Sequence, residues 1–421
     1  MTQCEKSNQK NRKVAGVVTQ KTNVLVINCG SSSIKFALID TASGEQIVSG
    51  LAERLGEQGA MLNWKVDGHK DKGPIPGADH AVAMRHIAAR LEEVTQARYG
   101  EPVAARLRGI GHRVVHGGEA FTASTIIDES VLATVEACNH LAPLHNPANL
   151  LGIRTAQALF PDLPQVAVFD TAFHQTLPRH AYLYAVPYDY YTELGVRRYG
   201  FHGTSHRYVT QQAAQFLGKP YTDCALVSAH LGNGCSAAAV LNGHSVDTTM
   251  GLTPLEGLVM GTRSGDVDPS LHSFLAGALG LSLTEITDIL NKKSGMLGLS
   301  GLSNDLRTLE DAAAEGNDRA IMAIEVFCYR LAKQIAGLAV GLAGKIDALV
   351  FTGGIGENSP LVRSKTVGHL AVLGFQLDPV LNDGLPRGGH GRINQPNSPA
   401  VLVIPTDEEL MIAQDTAGLI M

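Results

Sequence analysis

The chain has 421 residues, of which 44% are hydrophobic and 18% charged, and its formal net charge is −6. This composition is typical of a soluble globular protein, and the length allows two domains with a sizeable core. The lack of a long basic run argues against a nucleic-acid partner, and no apolar stretch is long enough to suggest a membrane span. The six cysteines are scattered without a C-x-x-C pair, which indicates neither a disulfide framework nor a zinc site and favours a cytoplasmic location.

The N-terminal third alternates between polar segments and segments with strand or helix character. Residues 1–21 are polar and weakly basic and are expected to form a flexible extension. Residues 22–66 are rich in β-forming residues, whereas the Gly, Pro and Asp content of residues 67–79 predicts a surface loop. Apolar residues at helical spacing predict helices over residues 81–97 and 128–141.

The rest of the chain has the pattern of buried strands and helices in an α/β protein. Residues 165–170 form a short, nearly all-apolar run that ends in a carboxylate, and ligands gather beyond such strand ends in α/β sheets. Strands are predicted over residues 223–231 and 236–241, and a long helix over residues 319–343. Residues 348–358 indicate another buried strand that enters a glycine turn.

The C-terminal segment predicts a strand followed by a closing helix. Residues 400–405 are apolar and end in proline, as expected for a last buried strand. Thr406 is followed three residues later by Glu409, which fits a capping box. In a capping box the two side chains satisfy the first free backbone N–H groups of a helix.

Two strand–turn–strand segments share an unusual composition. Residues 24–40 and 226–237 each contain an apolar run, a turn made almost wholly of Gly, Ser and Asn, and a second run of strand-like or small residues. Such a turn gathers backbone N–H groups and hydroxyls around one point, which suits an anion. The P-loop, dinucleotide and protein-kinase signatures are absent. Together with the glycine turn of residues 348–358, the two segments predict a nucleotide site built from β-hairpin phosphate loops.

The chain resembles the acetate kinase family in blocks that occur in the family's order. The resemblance runs from about Val24 to the C-terminus and leaves only the N-terminal extension outside it. The blocks are NCGSSSIK at 28–35, GHRVVHGG at 111–118, LAPLHNP at 141–147, FDTAFH at 169–174, RYGFHGTSH at 198–206, MGTRSGD at 260–266 and FTGGIGEN at 351–358.

The resemblance implies an α/β fold of two actin-like, ribonuclease H-like domains with the active site in the cleft between them. The N-terminal domain would comprise residues 22–172 and 405–421, and the nucleotide-binding C-terminal domain residues 173–404. The implied reaction is reversible, in-line transfer of the γ-phosphoryl group of ATP to a short-chain carboxylate, which gives an acyl phosphate and ADP. The family further implies a homodimer and a Mg²⁺ ion, with Mn²⁺ as an alternative.

The family's essential residues correspond to five positions of this chain. Arg113 and Arg263 would form a clamp in which one arginine holds the carboxylate and both stabilise the transferring phosphoryl group, a task that suits planar guanidinium groups. Arg113 is the arginine assigned to the substrate. The resemblance also makes Asp170 essential, and it places His202 against the phosphoryl group and His145 in the active site. A purely structural role for His145, in a loop bounded by prolines, stays open.

The resemblance also assigns a metal site and a nucleotide site. Asn28 and Glu408 would hold Mg²⁺ directly or through water, and Glu409 is explained as a helix cap. His206 completes an H-x-x-x-H spacing with His202, for which a structural role is favoured over a metal site. The residues assigned to ATP are Ser31, Ser33, Lys35, His230, Asn233, Gly234, Asp305, Leu306, Arg307, Gly354, Ile355 and Asn358. For Lys35 a simple ion-pair role stays open.

The substrate pocket is expected to be small and apolar. Val115 resembles the valine that narrows the acyl pocket in acetate kinases, and Leu144, Phe201 and Pro254 would complete the pocket. Other blocks, at residues 195–201 and 300–307, look more like the propionate-kinase branch. Since one methylene group is worth about 1–3 kcal/mol in an apolar pocket, acetate is expected to be preferred and propionate accepted.

Three alternatives to an acetate kinase remain at this point. The first is a propionate kinase with acetate as its secondary substrate. The second is a hydroxyl-directed kinase of the same superfold, which would need a base aimed at a hydroxyl and a more polar pocket. The third is a non-enzymatic, actin-like ATP-binding module, which would not need Arg113, Arg263 and His202 together.

Overall fold

The structure is a computed structural model and describes residues 21–143 and 145–420. Apart from Lys21, the predicted N-terminal extension lies outside these residues. The strands are β1 Asn23–Cys29, β2 Ser33–Asp40, β3 Glu45–Glu53, β4 Met61–Val66, β5 His69–Pro74, β6 Leu107–Val114, β7 Thr125–Ile126, β8 Gln165–Phe169, β9 Ala225–Leu231, β10 Cys235–Leu241, β11 His244–Thr248, β12 Ala348–Thr352, β13 Gly391–Arg392 and β14 Ala400–Val403.

Helices connect these strands and cover the sheets. They are α1 His80–Tyr99, α2 Val103–Arg106, α3 Glu129–Ala137, α4 Asn146–Leu159, α5 Arg179–Tyr182, α6 Asp189–Leu194, α7 Gly203–Leu217, α8 Leu271–Leu279, α9 Leu283–Lys292, α10 Gly295–Ser300, α11 Leu306–Ala314, α12 Asp318–Leu338, α13 Gly353–Asn358, α14 Pro360–His369, α15 Pro379–Gly384 and α16 Glu408–Leu419. No single helix in the described ranges is long and apolar enough to cross a membrane. The bent pair of α8 and α9 together has the length and apolar composition of a membrane span, and only its length and composition suggest one.

The two sheets repeat one arrangement. The first has the order β5-β4-β3-β2-β1-β6-β8-β7, and the second the order β11-β10-β9-β12-β14-β13. In each, an antiparallel hairpin (β1–β2 or β9–β10) adjoins two parallel strands (β6 and β8, or β12 and β14). Parallel strands bring their carboxyl ends to one edge, so each sheet gathers its loops where a ligand can bind.

Separate apolar cores stabilise the two sheets, and α16 returns to the first one. Ile412 and Ala413 of α16 are buried against Val24 and Val26 of β1. The close approach depends on Gly111 of β6, because a Cβ atom there would lie 2.4 Å from Thr416 Oγ1. The last described helix therefore packs on the sheet that contains the first described strand.

Two local predictions were wrong. Residues 67–79 were expected to form a loop, but residues 69–74 form β5, because Asp67 and Gly68 both take positive φ angles and make the two-residue hairpin turn that favours an Asp-Gly pair. The capping box was expected at Thr406, but Asp407 caps α16, and its side chain accepts a hydrogen bond from Leu410 N at 2.9 Å. Glu409 therefore does not act as a cap.

Candidate active site

A polar cavity of about 290 Å³ lies where the strand ends of the two sheets meet. Its walls come from the ends of β1, β6, β9 and β14 and from the starts of α7 and α16. It is lined by Asn28, Lys35, Arg113, His202, His230, Thr406, Glu408 and Glu409. Five of these residues were predicted as catalytic, phosphate-binding or metal-binding groups. For Lys35, phosphate binding was predicted and a simple ion pair was kept as an alternative.

Arg113 and Asp170 form a buried ion pair beside this cavity. Arg113 Nε donates to Asp170 Oδ1 at 3.0 Å, and Arg113 NH2 donates to Asp170 Oδ2. Arg113 NH1 also donates to Asn28 Oδ1 at 3.3 Å. Burial raises the pKa of the Asp170 carboxyl, and Arg113 offsets part of that effect. Burial alone would lower the pKa of Arg113, but the carboxylates of Asp170 and Glu408 outweigh it and raise the pKa.

The acids at the start of α16 face the same cavity. Burial raises the pKa of Glu408, and Arg113 opposes the shift. Glu409 forms an ion pair with Lys35 across the cavity. Lys35 therefore forms an ion pair in this structure. The Glu409 side chain lines the cavity and does not cap the helix.

Arg263 is a second guanidinium group, and it has no carboxylate partner among the described residues. Its NH1 donates to Pro254 O at 3.3 Å. A Cβ atom on Gly234 would lie 3.4 Å from Arg263 NH1 and 3.6 Å from His202 Nε2, so all three meet at the second hairpin turn. Burial lowers the pKa of Arg263, as expected for a partly buried cation that lacks a counter-ion.

His202 and His230 stack face to face in the cavity wall, with ring centroids 4.4 Å apart. His202 precedes α7 and takes a left-handed backbone conformation with φ at 56°, which is uncommon outside glycine. Burial lowers the pKa of His230 to about 4 and that of His202 well below its ordinary value. Both rings are therefore neutral near pH 7.

His145 lies at the start of α4, near both arginines. Burial lowers its pKa, and the charges of Arg113 and Arg263 lower it further. Two buried asparagines of α4 fix the backbone after β6: Asn149 Oδ1 accepts from Val115 N at 3.0 Å, and Asn146 Oδ1 accepts from His116 N at 3.1 Å. The structure thus brings His145 to the site, and its role stays a prediction.

The structure describes three of the four apolar residues that were predicted to line the acyl pocket. Val115 and Phe201 are buried in the same apolar cluster, together with Ala142. Pro254 is partly buried and is connected to Arg263 through the hydrogen bond given above. Leu144 lies outside the described residues. The structure therefore places Val115 and Phe201 in one buried apolar cluster, as the predicted pocket requires.

A second cavity of about 450 Å³ adjoins the β9–β10 turn. It is lined by Gly232, Asn233, Asn304, Asp305, Leu306, Arg307, Glu310, Gly354, Ile355, Asn358, Ser359 and Arg387. Seven of these residues were predicted to contact ATP. Ser31 and Ser33, by contrast, line neither cavity, and Gly234 lies between the two cavities at the Arg263 side chain.

Several functional candidates were missed by the sequence reasoning. Glu357 Oε1 accepts from Gly353 N at 2.9 Å and from Thr406 N at 3.3 Å, which joins the edge of the second cavity to the start of α16. The fully buried Arg363 donates to the carbonyl groups of Gly356 and Glu357 and so supports α13. Nothing in the sequence marked Arg387 as a site residue, because it lies in a loop without a recognisable motif.

Within the described ranges, no group of three or more His, Cys, Asp or Glu side chains is arranged to hold a metal ion. Asn28 and Glu408 nevertheless line one cavity and offer oxygen atoms to it. Magnesium takes only one or two protein carboxylates and completes its shell with water and substrate phosphates. The donor set therefore fits a sparse magnesium site.

Comparison with known proteins decides the family. A family model described as the acetokinase family matches residues 23–414. The chain belongs to the acetokinase family. It is 59% identical to the acetate kinase of Ectopseudomonas mendocina over 398 residues, which cover 94% of this chain and 99% of that protein. It is 55% identical to the acetate kinase of Chromobacterium violaceum, with 94% and 98% covered.

Solved structures agree with this family membership. The Porphyromonas gingivalis acetate kinase superposes with a TM-score of 0.89 at 45% identity and covers 95% of this chain and 100% of its own. A propionate kinase from Francisella tularensis has the same TM-score at 46% identity, with 94% and 99% covered. The predicted α/β fold of two actin-like domains around a cleft is thereby confirmed.

Proposed function

We propose that this member of the acetokinase family is an acetate kinase, which phosphorylates acetate with ATP and also accepts propionate. One observation supports this proposal most directly. Arg113, held by Asp170, lines the same cavity as His202, and Arg263, which has no carboxylate partner in the described part of the chain, lies with His202 at Gly234. A cation without a counter-ion beside a nucleotide cavity is suited to an anionic acceptor.

The geometry supports direct in-line transfer. A carboxylate oxygen attacks the γ-phosphorus, the bond from that phosphorus to the β–γ bridging oxygen breaks, and ADP leaves with the electron pair. No proton has to move, so the site needs positioned positive charge more than a base. Arg263 and Arg113 would stabilise the equatorial oxygens, and His202 and His230 would donate hydrogen bonds as neutral rings.

We propose that Asn28 and Glu408 would hold a Mg²⁺ ion. When bound, it would neutralise charge on the nucleotide phosphates. Burial raises the pKa of Glu408, so its ionised form is stabilised by a neighbouring cation. Glu409 is already engaged by Lys35, which leaves Glu408 as the free acid at this end of the cavity. Mn²⁺ has similar ligand preferences and could replace Mg²⁺.

The remaining assignments are proposals of the same kind. We assign residues 22–172 and 405–421 to one domain and 173–404 to the other, a division supported by the packing of α16 on the first sheet. Phe274, Leu279 and Leu283 of α8 and α9 are each more than 60% exposed and offer an apolar face for a homodimer. The described cysteines are all free, which fits a reducing, cytoplasmic compartment.

The test is ATP- and Mg²⁺-dependent acyl phosphate formation, trapped with hydroxylamine, for acetate, propionate and butyrate, with glycerol phosphorylation followed in parallel. We expect the highest rate with acetate. Val115→Ala should improve the propionate-to-acetate ratio of kcat/KM about tenfold, since one methylene is worth about 1–3 kcal/mol. Propionate as the best substrate of the wild type would favour the alternative suggested by the Francisella structure, and glycerol phosphorylation without acyl phosphate would overturn the proposal.

A further inference from the structure

A row of hydrogen bonds runs from the interior of the second sheet to His202. Ser228 Oγ lies 2.7 Å from His206 Nδ1, and His206 Nε2 lies 2.8 Å from Ser236 Oγ. Ser236 Oγ lies in turn 2.8 Å from His202 Nδ1. Ser228, His206 and Ser236 are each 0% exposed, so water does not compete for these contacts.

The strand register explains why these side chains meet. Ser236 of β10 pairs with His230 of β9, and Ser228 lies two residues before His230, so all three point to one face of the sheet. Helix α7 begins over this face, and His202 and His206 lie one helical turn apart at its start. Each serine therefore meets the imidazole rings of α7.

The hydrogen bonds of this row can all point in either of two directions. In one, Ser228 donates to His206 Nδ1, His206 Nε2–H donates to Ser236, and Ser236 donates to His202 Nδ1. His202 then carries its proton on Nε2, the atom that faces Gly234 and Arg263. In the reverse direction, His202 is protonated on Nδ1 and turns a bare lone pair toward the cleft.

We propose that Ser228, His206 and Ser236 are positioning residues that hold His202 as its Nε2–H tautomer, so that an N–H group is aimed at the transferring phosphoryl group. This proposal rests on the phosphotransferase function proposed above. An anionic phosphoryl group repels a lone pair and attracts an N–H group, so substrate favours the first direction. The row can take that direction without any movement of its side chains.

A neighbouring histidine shows the same chemistry with its direction fixed. His174 Nε2 lies 3.0 Å from the carbonyl oxygen of Phe201, which can only accept, so Nε2 carries the proton. His174 Nδ1 must then accept from Ser245 Oγ at 2.8 Å. At His230, Nδ1 likewise lies 2.8 Å from a serine hydroxyl, that of Ser205. In all four of these histidines, His174, His202, His206 and His230, Nδ1 therefore contacts a serine hydroxyl.

The row works only while its rings are neutral, because a doubly protonated imidazole has no acceptor for a serine hydroxyl. Burial lowers the pKa of His202 and of His206 well below the ordinary value. The groups facing His202 are His230, His206, Arg113 and Arg263, and all of them disfavour a positive charge on its ring.

The first test is a double-mutant cycle between Ser236 and His202. Ser236→Ala should lower kcat by about tenfold to a hundredfold, the size of effect known for partners that orient metal-ligating histidines, with a small change in the KM for ATP. Glutamine at 202 offers an amide N–H near the Nε2 position and has no tautomers, so Ser236→Ala should cost less than about twofold in a His202→Gln background. An equal loss in both backgrounds would show that Ser236 is only structural and would overturn the proposal.

Ser245→Ala is the matched control, because it removes a serine from the Nδ1 atom of His174, whose tautomer the Phe201 carbonyl already fixes. Its effect should be the same with His or Gln at position 202. Ser236→Thr, which keeps the hydroxyl, should restore most of the activity.

The second test does not depend on turnover. In ¹⁵N-histidine NMR spectra, assigned with the His202→Gln variant, we expect the wild-type His202 to show a protonated Nε2 and an unprotonated Nδ1, and Ser236→Ala to mix the tautomers. A protonated Nδ1 in the wild type with nucleotide bound would refute the proposal. Failure of acyl phosphate formation with a normal tautomer signature would instead refute the proposed function alone.

Discussion

The two hairpin turns look alike in sequence, but they have different surroundings. In the β1–β2 turn Gly30 N donates to Ser33 O at 2.8 Å, and in the β9–β10 turn Gly232 N donates to Gly234 O at 3.0 Å. Gly232 and Asn233 line the larger cavity, whereas Ser31 and Ser33 line neither cavity. A Gly/Ser turn therefore predicts the shape of a phosphate loop but not whether the loop reaches the ligand.

What lies beside each turn makes the difference. The first turn is flanked by Asn28 and Lys35, which face carboxylates at the start of α16. The second is flanked by His202 and Arg263, with no carboxylate among the described residues near the guanidinium group. The first region thus has the oxygen atoms that suit a metal ion, and the second has the donors that suit phosphate.

The largest expected effects come from replacing the two arginines, and the stability of the variants should distinguish Arg113 from Arg263. Arg113→Ala and Arg263→Ala should each lower the rate of acyl phosphate formation by about 10³–10⁵. Only Arg113→Ala leaves a buried carboxylate, Asp170, without its partner, which should cost about 3–5 kcal/mol in the free energy of unfolding. Arg263→Ala should change that free energy by less than about 1 kcal/mol. Urea denaturation checks the contrast, and equal destabilisation by the two variants would contradict it.

Glycines next to the two turns give the next largest contrast. A Cβ atom at Gly261 would lie 2.1 Å from Asn233 Oδ1, whereas one at Gly30 would lie 3.1 Å from the mobile end of Ser33. Gly261→Ala should displace the Asn233 side chain and raise the Kd for ATP about tenfold, the value of one hydrogen bond. Gly30→Ala should change it less than about threefold. Calorimetric titration of ATP measures both, and a larger effect at Gly30 would reverse our assignment of the turns.

The turns should also act at different stages of the reaction. Asn233→Ala should raise the Kd for ATP about tenfold, the value of one hydrogen bond. If Ser33 reaches phosphate only when the cleft closes on both substrates, Ser33→Ala should lower kcat about tenfold and leave the Kd for ATP measured without acetate unchanged. A weaker Kd in Ser33→Ala would mean that the first turn contacts ATP in the open cleft.

The smallest effect concerns pH. Burial lowers the pKa of His112, His174 and His230 from 6.5 to about 4. Between these values the unfolded chain binds protons that the folded chain does not, so the free energy of unfolding should fall as pH falls from 6.5 to 4. Burial raises the pKa of Asp170 and Glu408, so these carboxyls act in the opposite direction.

A variant outside the cleft isolates this histidine effect. His112 Nε2 lies 2.7 Å from the amide oxygen of Gln165, so His112→Gln removes one titrating ring from the first sheet and keeps a donor near it. Its free energy of unfolding should depend less steeply on pH over the same range. An unchanged slope would mean that other groups control the acid sensitivity.

Much of the fold followed from the sequence because buried strands are continuous apolar runs. The strand that ends before Asp170 and the β9–β10 hairpin are examples. Residues 69–74 could not be recognised as a strand, because their side chains are polar and the Asp67–Gly68 turn creates the pairing. Composition alone does not reveal such a turn-driven edge strand.

The site could be predicted as a set of residues but not as a set of contacts. Motif blocks named Arg113, Asp170 and Arg263, and all three lie beside the cleft. The pairing of Lys35 with Glu409 joins residues at opposite ends of the chain, and local reasoning assigned Glu409 to a helix cap instead. Contacts of this kind depend on how α16 packs on the first sheet.

The clamp formed by Arg113 and Arg263 is the central claim, and one comparison tests it most directly. The rate of hydroxylamine-trapped acetyl phosphate formation by Arg263→Ala is measured together with the Kd of the same variant for ATP. We predict a loss of at least about 10³ in rate with a Kd within about threefold of the wild type, because the guanidinium group acts on the transition state. A variant that loses ATP binding in proportion to its rate would contradict the clamp.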